Sequence, residues 1–206
     1  MSKKEIILLG AGGHCYSCID VIESGGIFTI AGIIEQEGKH QQKQVSGYPI
    51  IGCDNELSTL RNHFDYAFIT IGQMGSSTLR KKLYNTLVKL NFTIPVIISP
   101  FAYVSKHAII NSGTIVMHHA CVNAGATIGN NCILNTKSLI EHDAKVGNHT
   151  HISTGAILNG ESTIGQGCFV GSNATIVNGA KLPGCYFFKA GVLIKSKSSG
   201  RHQKEK

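Results

Sequence analysis

The feature that most constrains this chain is a period of six. From Val104 onward an aliphatic residue recurs at every sixth position: Val104, Ile110, Val116, Val122, Ile128, Leu134, Ile140, Val146, Ile152, Leu158, Ile164, Val170, Ile176 and Leu182. Two residues before each stands a small one, from Ala102 and Ala108 to Ala174 and Ala180, with Cys132 and Cys168 in the same slot. Fourteen repeats that keep two positions in step are an internal repeat, and the fold has to satisfy it first. A unit of six is one short strand and one turn. Three units close a triangular coil of eighteen, and coils stack through backbone hydrogen bonds at about 4.8 Å. The aliphatic side chain fills the prism, the small one fits its tight corner, and the two cysteines are structural. Gly129, Gly147, Gly165 and Gly171 follow the aliphatic position, where the turn is expected to need a permissive backbone.

Residues 4–99 obey a different rule. Strand-like runs ("KEIILLG", "IFTIAGIIE", "YAFITIG", "IPVIIS") alternate with helix-like ones ("CYSCIDVIESG", "DNELSTLRNH", "SSTLRKKLYNTLVKL"). In the first helix Cys15, Cys18, Ile19 and Ile22 fall on one face. The alternation predicts a parallel sheet with covering helices, a small Rossmann-like α/β unit. The expected organisation is therefore α/β plus β: residues 1–99 as a nucleotide-binding Rossmann-like domain, 100–194 as a parallel β-helix, and 195–206 as a basic, solvated tail.

The net charge of +7 is concentrated in that tail, which carries five Lys/Arg and one Glu, so the remainder is only about +3. No aromatic residues interleave with those charges, which argues against a nucleic-acid surface. No uninterrupted apolar stretch is long enough to span a bilayer, and "MSKKEIILLG" reads as the start of a strand rather than a leader. Seven scattered cysteines fit a reduced, cytoplasmic protein, and the Cys15-x-x-Cys18 spacing is read as two small residues on a helix face.

One run carries chemistry. "SLIEHDA" (138–144) puts His142 between Glu141 and Asp143, two residues past the inward Ile140, so that it points outward at a turn. One coil away in either direction are Ala124 and Gly160. A histidine between residues with little or no side chain borders a slot where a thin ligand could lie, with the Gly160 backbone approachable. Asp143 or Glu141 could orient the imidazole, with Asp143 preferred. Asn135 is either a substrate ligand or a plain turn residue. His118, His119, His149 and His151 lack a carboxylate or cysteine to complete a compact set, and no metal is expected. The turn "GAGGH" after the first strand is not a full dinucleotide fingerprint, because Cys15 stands where its third glycine would be, but it suits a phosphate or ribose at a helix N-terminus.

The hexapeptide pattern over 100–195 resembles the hexapeptide-repeat acyltransferases. With "ILLGAGGHCYSCIDVI", "FITIGQMGSSTLRKKLYNTL" and above all "NTKSLIEHDAKVG", nearly the whole chain resembles the sugar acyltransferases of the PglD/NeuD type. The resemblance implies a left-handed coil, an acetyl-CoA-dependent enzyme acylating an amino group of a nucleotide-linked, UDP-type sugar, and a homotrimer. It implies His142 as general base, with His151 toward acetyl-CoA and Gly10, Gly13, His14, Glu35 and Gly72 toward the sugar nucleotide; Gly160 and Gly191 join the expected acetyl-CoA side and Asn135 the expected substrate side. The acidic pair after the second strand is replaced here by "EQEG", and the C-terminal Gly-Val-Pro-Ala-Lys by "AGVLIKS". O-acetylation of a sialic-acid-like sugar, and a non-catalytic β-helix scaffold, are the competing readings.

Overall fold

The computed structural model describes residues 3–38, 43–195 and 201–202. It divides into two compact units: residues 1–72 with 82–95, and residues 73–81 with the chain from 96 on.

In the first unit, β1 (Lys4–Leu9), β2 (Phe28–Glu35), β4 (Tyr48–Cys53) and β5 (Tyr66–Ile69) run parallel, and β3 (Gln44–Val45) adds an antiparallel edge, in the order β3-β4-β2-β1-β5. The β3–β4 hairpin turns on Ser46 and Gly47, both at positive φ, the two-residue geometry that matches strand twist. The turn signal is the Ser-Gly pair of "VSGY" (45–48). The sheet core is the aliphatic run Ile6–Leu9 with Ile33, Ile34, Ala67, Phe68 and Ile69. Helix α1 (Gly13–Gly25) buries Cys15, Cys18, Ile19, Val21 and Ile22, the face that the spacing predicts, and ends on Gly26 at φ 65°. The helix expected over "DNELSTLRNH" is shorter, a 3-10 turn (Asp54–Glu56) leading into α2 (Leu57–Leu60). At its start the Cys53 N–H donates to the Glu56 carboxylate at 2.8 Å. Helix α3 (Thr78–Lys89) starts in the second unit and ends in the first.

The second unit is a left-handed parallel β-helix. Two-residue strands recur every six residues and stack with a register of eighteen into three sheets. The first face runs from Tyr103–Val104 through Leu139–Ile140 to Leu193–Ile194; the second from Ile109–Ile110 through Lys145–Val146 to Lys181–Leu182; the third from Ile97–Ile98 through His151–Ile152 to Tyr186–Phe188. The inward positions form one continuous core. It extends past Leu182 to Phe188 and Ile194, where the period of six persists but Tyr186 takes a small-residue slot. "IPVIIS" does not close the first sheet: Ile97–Ile98 pairs with Ile115–Val116 and starts the third face. A bare aliphatic run does not say which sheet will pair with it. Of the segment 195–206, the described residues are Lys195 and Arg201–His202, whose backbone pairs antiparallel with Tyr186–Phe187; the tail reading otherwise lies outside the described residues.

The corner glycines need a correction. Gly129, Gly147, Gly165 and Gly171 are not at positive φ. They are glycines because the next coil's backbone lies against them; a Cβ on Gly147 would sit 2.5 Å from the Gln166 amide nitrogen. Positive φ falls two residues further on, at every sixth position from Gly113 through Asp143 and His149 to Gly191.

Candidate active site

Each corner of the coil places a different set of polar side chains. On the corner between the first and second faces, the chain passes through Glu141, His142, Asp143 and Ala144. Asp143 takes the left-handed conformation at φ 59°, its N–H bonded to the Ala124 carbonyl in the coil before (3.1 Å). That turn brings its Oδ2 to 3.0 Å from His142 Nδ1. A side chain on the neighbouring coil's Gly125 would overlap the Asp143 carboxylate. Glu141 is engaged elsewhere: its Oε2 accepts from Asn123 Nδ2 (2.9 Å) and from the His142 N–H (3.3 Å).

The His142 and Asp143 side chains are 57% and 63% exposed. The Asp143 carboxylate, bonded to Nδ1, pushes the imidazole pKa above its ordinary value. With Nδ1–H pointing at a carboxylate, Nε2 is the nitrogen left to exchange a proton. Its side of the ring leans over Gly160. A Cβ there would lie 2.6 Å from Nε2 and 2.9 Å from Asn178 Oδ1 of the following coil. The space that the sequence suggests for a ligand beside Gly160 is thus occupied by the imidazole itself.

Asn135 and His151 lie elsewhere. Asn135 begins the corner between the third and first faces, and His151 stands on the third face, in register with Ile133 and Phe169. The candidates therefore fall at opposite ends of a first-face strand rather than in one cluster. His151 is 5% exposed, its ring edge-on to Phe169 with centroids 5.1 Å apart. Burial, with Arg80 adding to it, pushes its pKa down to about 4, against a bond to the Gln73 main chain. Gly191 is the last positive-φ corner at φ 68°, with open space where a side chain would be.

A third set was not legible in the sequence. Arg80, 2% exposed, donates from Nη2 to the Asn131 carbonyl (3.0 Å) and Oδ1 (2.7 Å), and Asn131 Nδ2 lies 3.0 Å from His149 Nδ1. Burial, then Arg80 and Lys81, pushes the His149 pKa down to about 4. Gln73 Nε2 donates to the Cys168 carbonyl at 3.1 Å. Residues 73–81 thus lie along the third face, a pairing that no local pattern announces. His118 is bonded to Ser99 Oγ at 2.6 Å. Among the described residues no group of three or more His, Cys, Asp or Glu could hold a metal ion, and no helix is long and apolar enough to cross a membrane.

In the first unit, Gly10 sits at φ 108°, and a side chain there would overlap Ile71. Its carbonyl accepts from the Thr70 hydroxyl at 2.7 Å. Around Gly12 and Gly13 the space where a side chain would be is open, and no side chain caps α1. A helix N-terminus with no side-chain cap and no Cβ in front of it is suited to a phosphate. Glu35, expected toward the sugar nucleotide, holds the turn: its Oε2 accepts from the Ala11 N–H at 3.0 Å. A Cβ on Gly72 would come to 3.3 Å from His14 Cβ, so these two candidates are neighbours.

Residues 5–87 match the family model of the PglD N-terminal domain. No curated protein sequence matches the chain significantly. Among solved structures, it is similar to a histidine variant of perosamine N-acetyltransferase from Caulobacter crescentus in complex with CoA and GDP-perosamine (25% identity, 99% of each chain, TM-score 0.87). It is also similar to the acetyltransferase domain of PglB from Neisseria gonorrhoeae FA1090 in complex with acetyl coenzyme A (26% identity, 98% of this chain and 100% of that one, TM-score 0.86). WeeI from Acinetobacter baumannii AYE shares the fold (19% identity, 97% and 99%, TM-score 0.72).

Proposed function

We infer that this chain, built throughout like the hexapeptide-repeat sugar acetyltransferases, is an acetyl-CoA-dependent N-acetyltransferase acting on a nucleotide-linked amino sugar. The observation that carries the reading is the exposed His142–Asp143 pair on a coil corner, with Nδ1 engaged by the carboxylate and Nε2 on the opposite side of the ring.

The chemistry needs little else. The sugar amine attacks the acetyl carbonyl carbon of the thioester. His142 Nε2 takes the amine proton as the C–N bond forms. The C–S bond then breaks, the proton passes to the leaving thiolate, and the products are the acetamido sugar and free CoA. Asp143 holds Nδ1–H and stabilises the imidazolium that forms in between. The scattered thiols are not needed as nucleophiles, and burial pushes Cys132 and Cys168 up to about 11. Bound acetyl-CoA would supply the activated acyl group, with Gly160 and Gly191 as its proposed contacts; His151, 5% exposed and bonded to Gln73 and Asn135, is proposed to reach the ligand through Asn135. Gly10, Gly13, His14, Glu35, Gly72 and Asn135 are the proposed sugar-nucleotide residues. The open α1 N-terminus supports this, and Glu35 acts there by shaping the turn.

UDP is the carrier that the sequence resemblance supports, whereas the Caulobacter neighbour holds GDP-perosamine. We propose a homotrimer as well. The outward column of the first face (Tyr103, Cys121, Leu139, Ile157, Thr175, Leu193) is largely apolar and half-exposed to exposed, as a face that packs against another copy would be. The function is tested by incubating purified protein with acetyl-CoA and a panel of UDP- and GDP-linked amino sugars and sialic acids, following thiol release. Turnover with an amino sugar nucleotide is expected. Turnover only with a sialic acid would favour O-acetylation, and none at all would favour a scaffold. A monomeric mass by light scattering would refute the trimer.

A further inference from the structure

Burial holds the His151 pKa down to about 4, which leaves the ring neutral near pH 7, and its surroundings decide which nitrogen bears the hydrogen. Nδ1 lies 2.7 Å from the Gln73 main-chain carbonyl, which can only accept. The hydrogen is therefore on Nδ1, and Nε2 is left with a lone pair. That lone pair faces Asn135 Nδ2 at 3.2 Å, so the Asn135 amide donates to it. At the other end of the same amide, Oδ1 accepts the Thr136 N–H at 2.8 Å. An Asn amide is ambiguous by 180° when nothing sets it; here both ends are set, and they agree.

A consequence follows for any ligand on this corner. Oδ1 is occupied, one Nδ2 hydrogen is given to His151, and Asn135 makes no other side-chain bond among the described residues. The half-buried amide can offer its second N–H and nothing else. It is a hydrogen-bond donor of fixed direction.

We propose that His151 is a positioning residue, keyed by the main chain of Gln73, that locks the Asn135 amide as an N–H donor to an oxygen acceptor of the bound ligand. The relay runs from Gln73 through the imidazole to Asn135, and it places part of the site's specificity in the segment 73–81. Its kinetic consequence rests on the acyl-transfer reading; the tautomer and the amide orientation do not.

Two substitutions separate the ring nitrogens. In His151→Gln the new carbonyl reaches the Nε2 position and keeps an acceptor for Asn135, although the donor to Gln73 is lost. In His151→Asn the new amide keeps a donor at the Nδ1 position and leaves Asn135 without its acceptor. We expect the Asn variant to lose about tenfold or more in kcat/KM, the scale of one lost oriented hydrogen bond to ligand, and the Gln variant to stay within about threefold. Equal losses, or a greater loss for Gln, would overturn the relay. Independently of activity, the ¹⁵N imidazole spectrum of the intact protein at neutral pH, assigned by loss of a signal in the variants, should show His151 as the Nδ1–H tautomer. An Nε2–H or charged ring would refute the proposal even in an active enzyme. An Nδ1–H ring in a protein without turnover would instead count against the acyl-transfer reading.

Discussion

The sharpest single-atom perturbation of the proposed site is Gly160→Ala. Gly160 is not at positive φ, so alanine there meets no backbone strain. Its new methyl group would lie 2.6 Å from His142 Nε2, 2.7 Å from Cε1 and 2.9 Å from Asn178 Oδ1. Carbon and nitrogen pack no closer than about 3.5 Å, so the imidazole must retreat by about 1 Å. The ring is at an exposed corner and held chiefly through Asp143, so it can swing away without disturbing the prism core. The fold should survive, with a melting temperature within a few degrees of wild type, as is usual for substitutions at accessible positions. The reaction should not. A displacement of about 1 Å at a reacting group can cost about 10² in rate. The assay is kcat and KM by thiol release beside a thermal melt. We expect kcat to fall by about thirtyfold to a few hundredfold, more than KM changes. A variant with wild-type kcat and an unchanged melt would show that Nε2 does not work from where it rests on Gly160.

Four further outcomes follow from the same coordinates. His142→Ala should keep its melting temperature and lose about 10²–10⁴ in kcat, the usual cost of a missing general base, with circular dichroism checking the fold. The base must be neutral, and Asp143 raises its pKa, so wild-type kcat should fall as pH drops through a value above the ordinary 6.5; Asp143→Asn should shift that limb to lower pH and slow the reaction, and an unmoved limb in a pH profile would count against the pair. His149 and His151 are held down to about 4, while the unfolded chain binds their protons near 6.5, so stability is full above about 6.5 and is lost as pH falls toward 4, measurable as the urea midpoint against pH. Gly147→Ala drives a Cβ to 2.5 Å from the Gln166 nitrogen, and its urea midpoint should reflect a loss of about 1–3 kcal/mol, since a stacked backbone cannot step aside as a side chain can.

His14→Ala separates the two proposed ligand sites: KM for the sugar nucleotide should rise by about tenfold while KM for acetyl-CoA stays nearly constant. The opposite pattern in initial-rate kinetics would move the sugar nucleotide away from the Gly10–His14 turn.

How much of this was legible in the sequence depended on the range of the interaction. A period of six is a local code: each aliphatic residue meets its neighbours exactly one coil away, so counting along the chain predicts the core from Val104 to Leu182 residue by residue. The same counting brings Ala124 and Gly160 beside His142, and adjacency alone makes Asp143 its partner. Helix α1 was readable for a similar reason, because Cys15, Cys18, Ile19 and Ile22 express a helical period within two turns. The period also misled. It identified glycines after the aliphatic position but attributed them to backbone dihedrals, when the cause is the next coil's backbone pressed against them. What remained hidden is what crosses the repeat. Gln73 and Arg80 precede the first coil by more than a dozen residues, and nothing in "GQMGSSTLR" says that it will meet His151, Cys168 and Asn131. Those bonds decide which nitrogen of His151 carries its hydrogen and how the Asn135 amide is turned. The sequence alone determined the scaffold and the place of His142 and Asp143 on it, because both follow from short-range stacking. Only the tertiary structure decided the hydrogen-bond polarity around them, because a donor and its acceptor need be close in space, not in the chain.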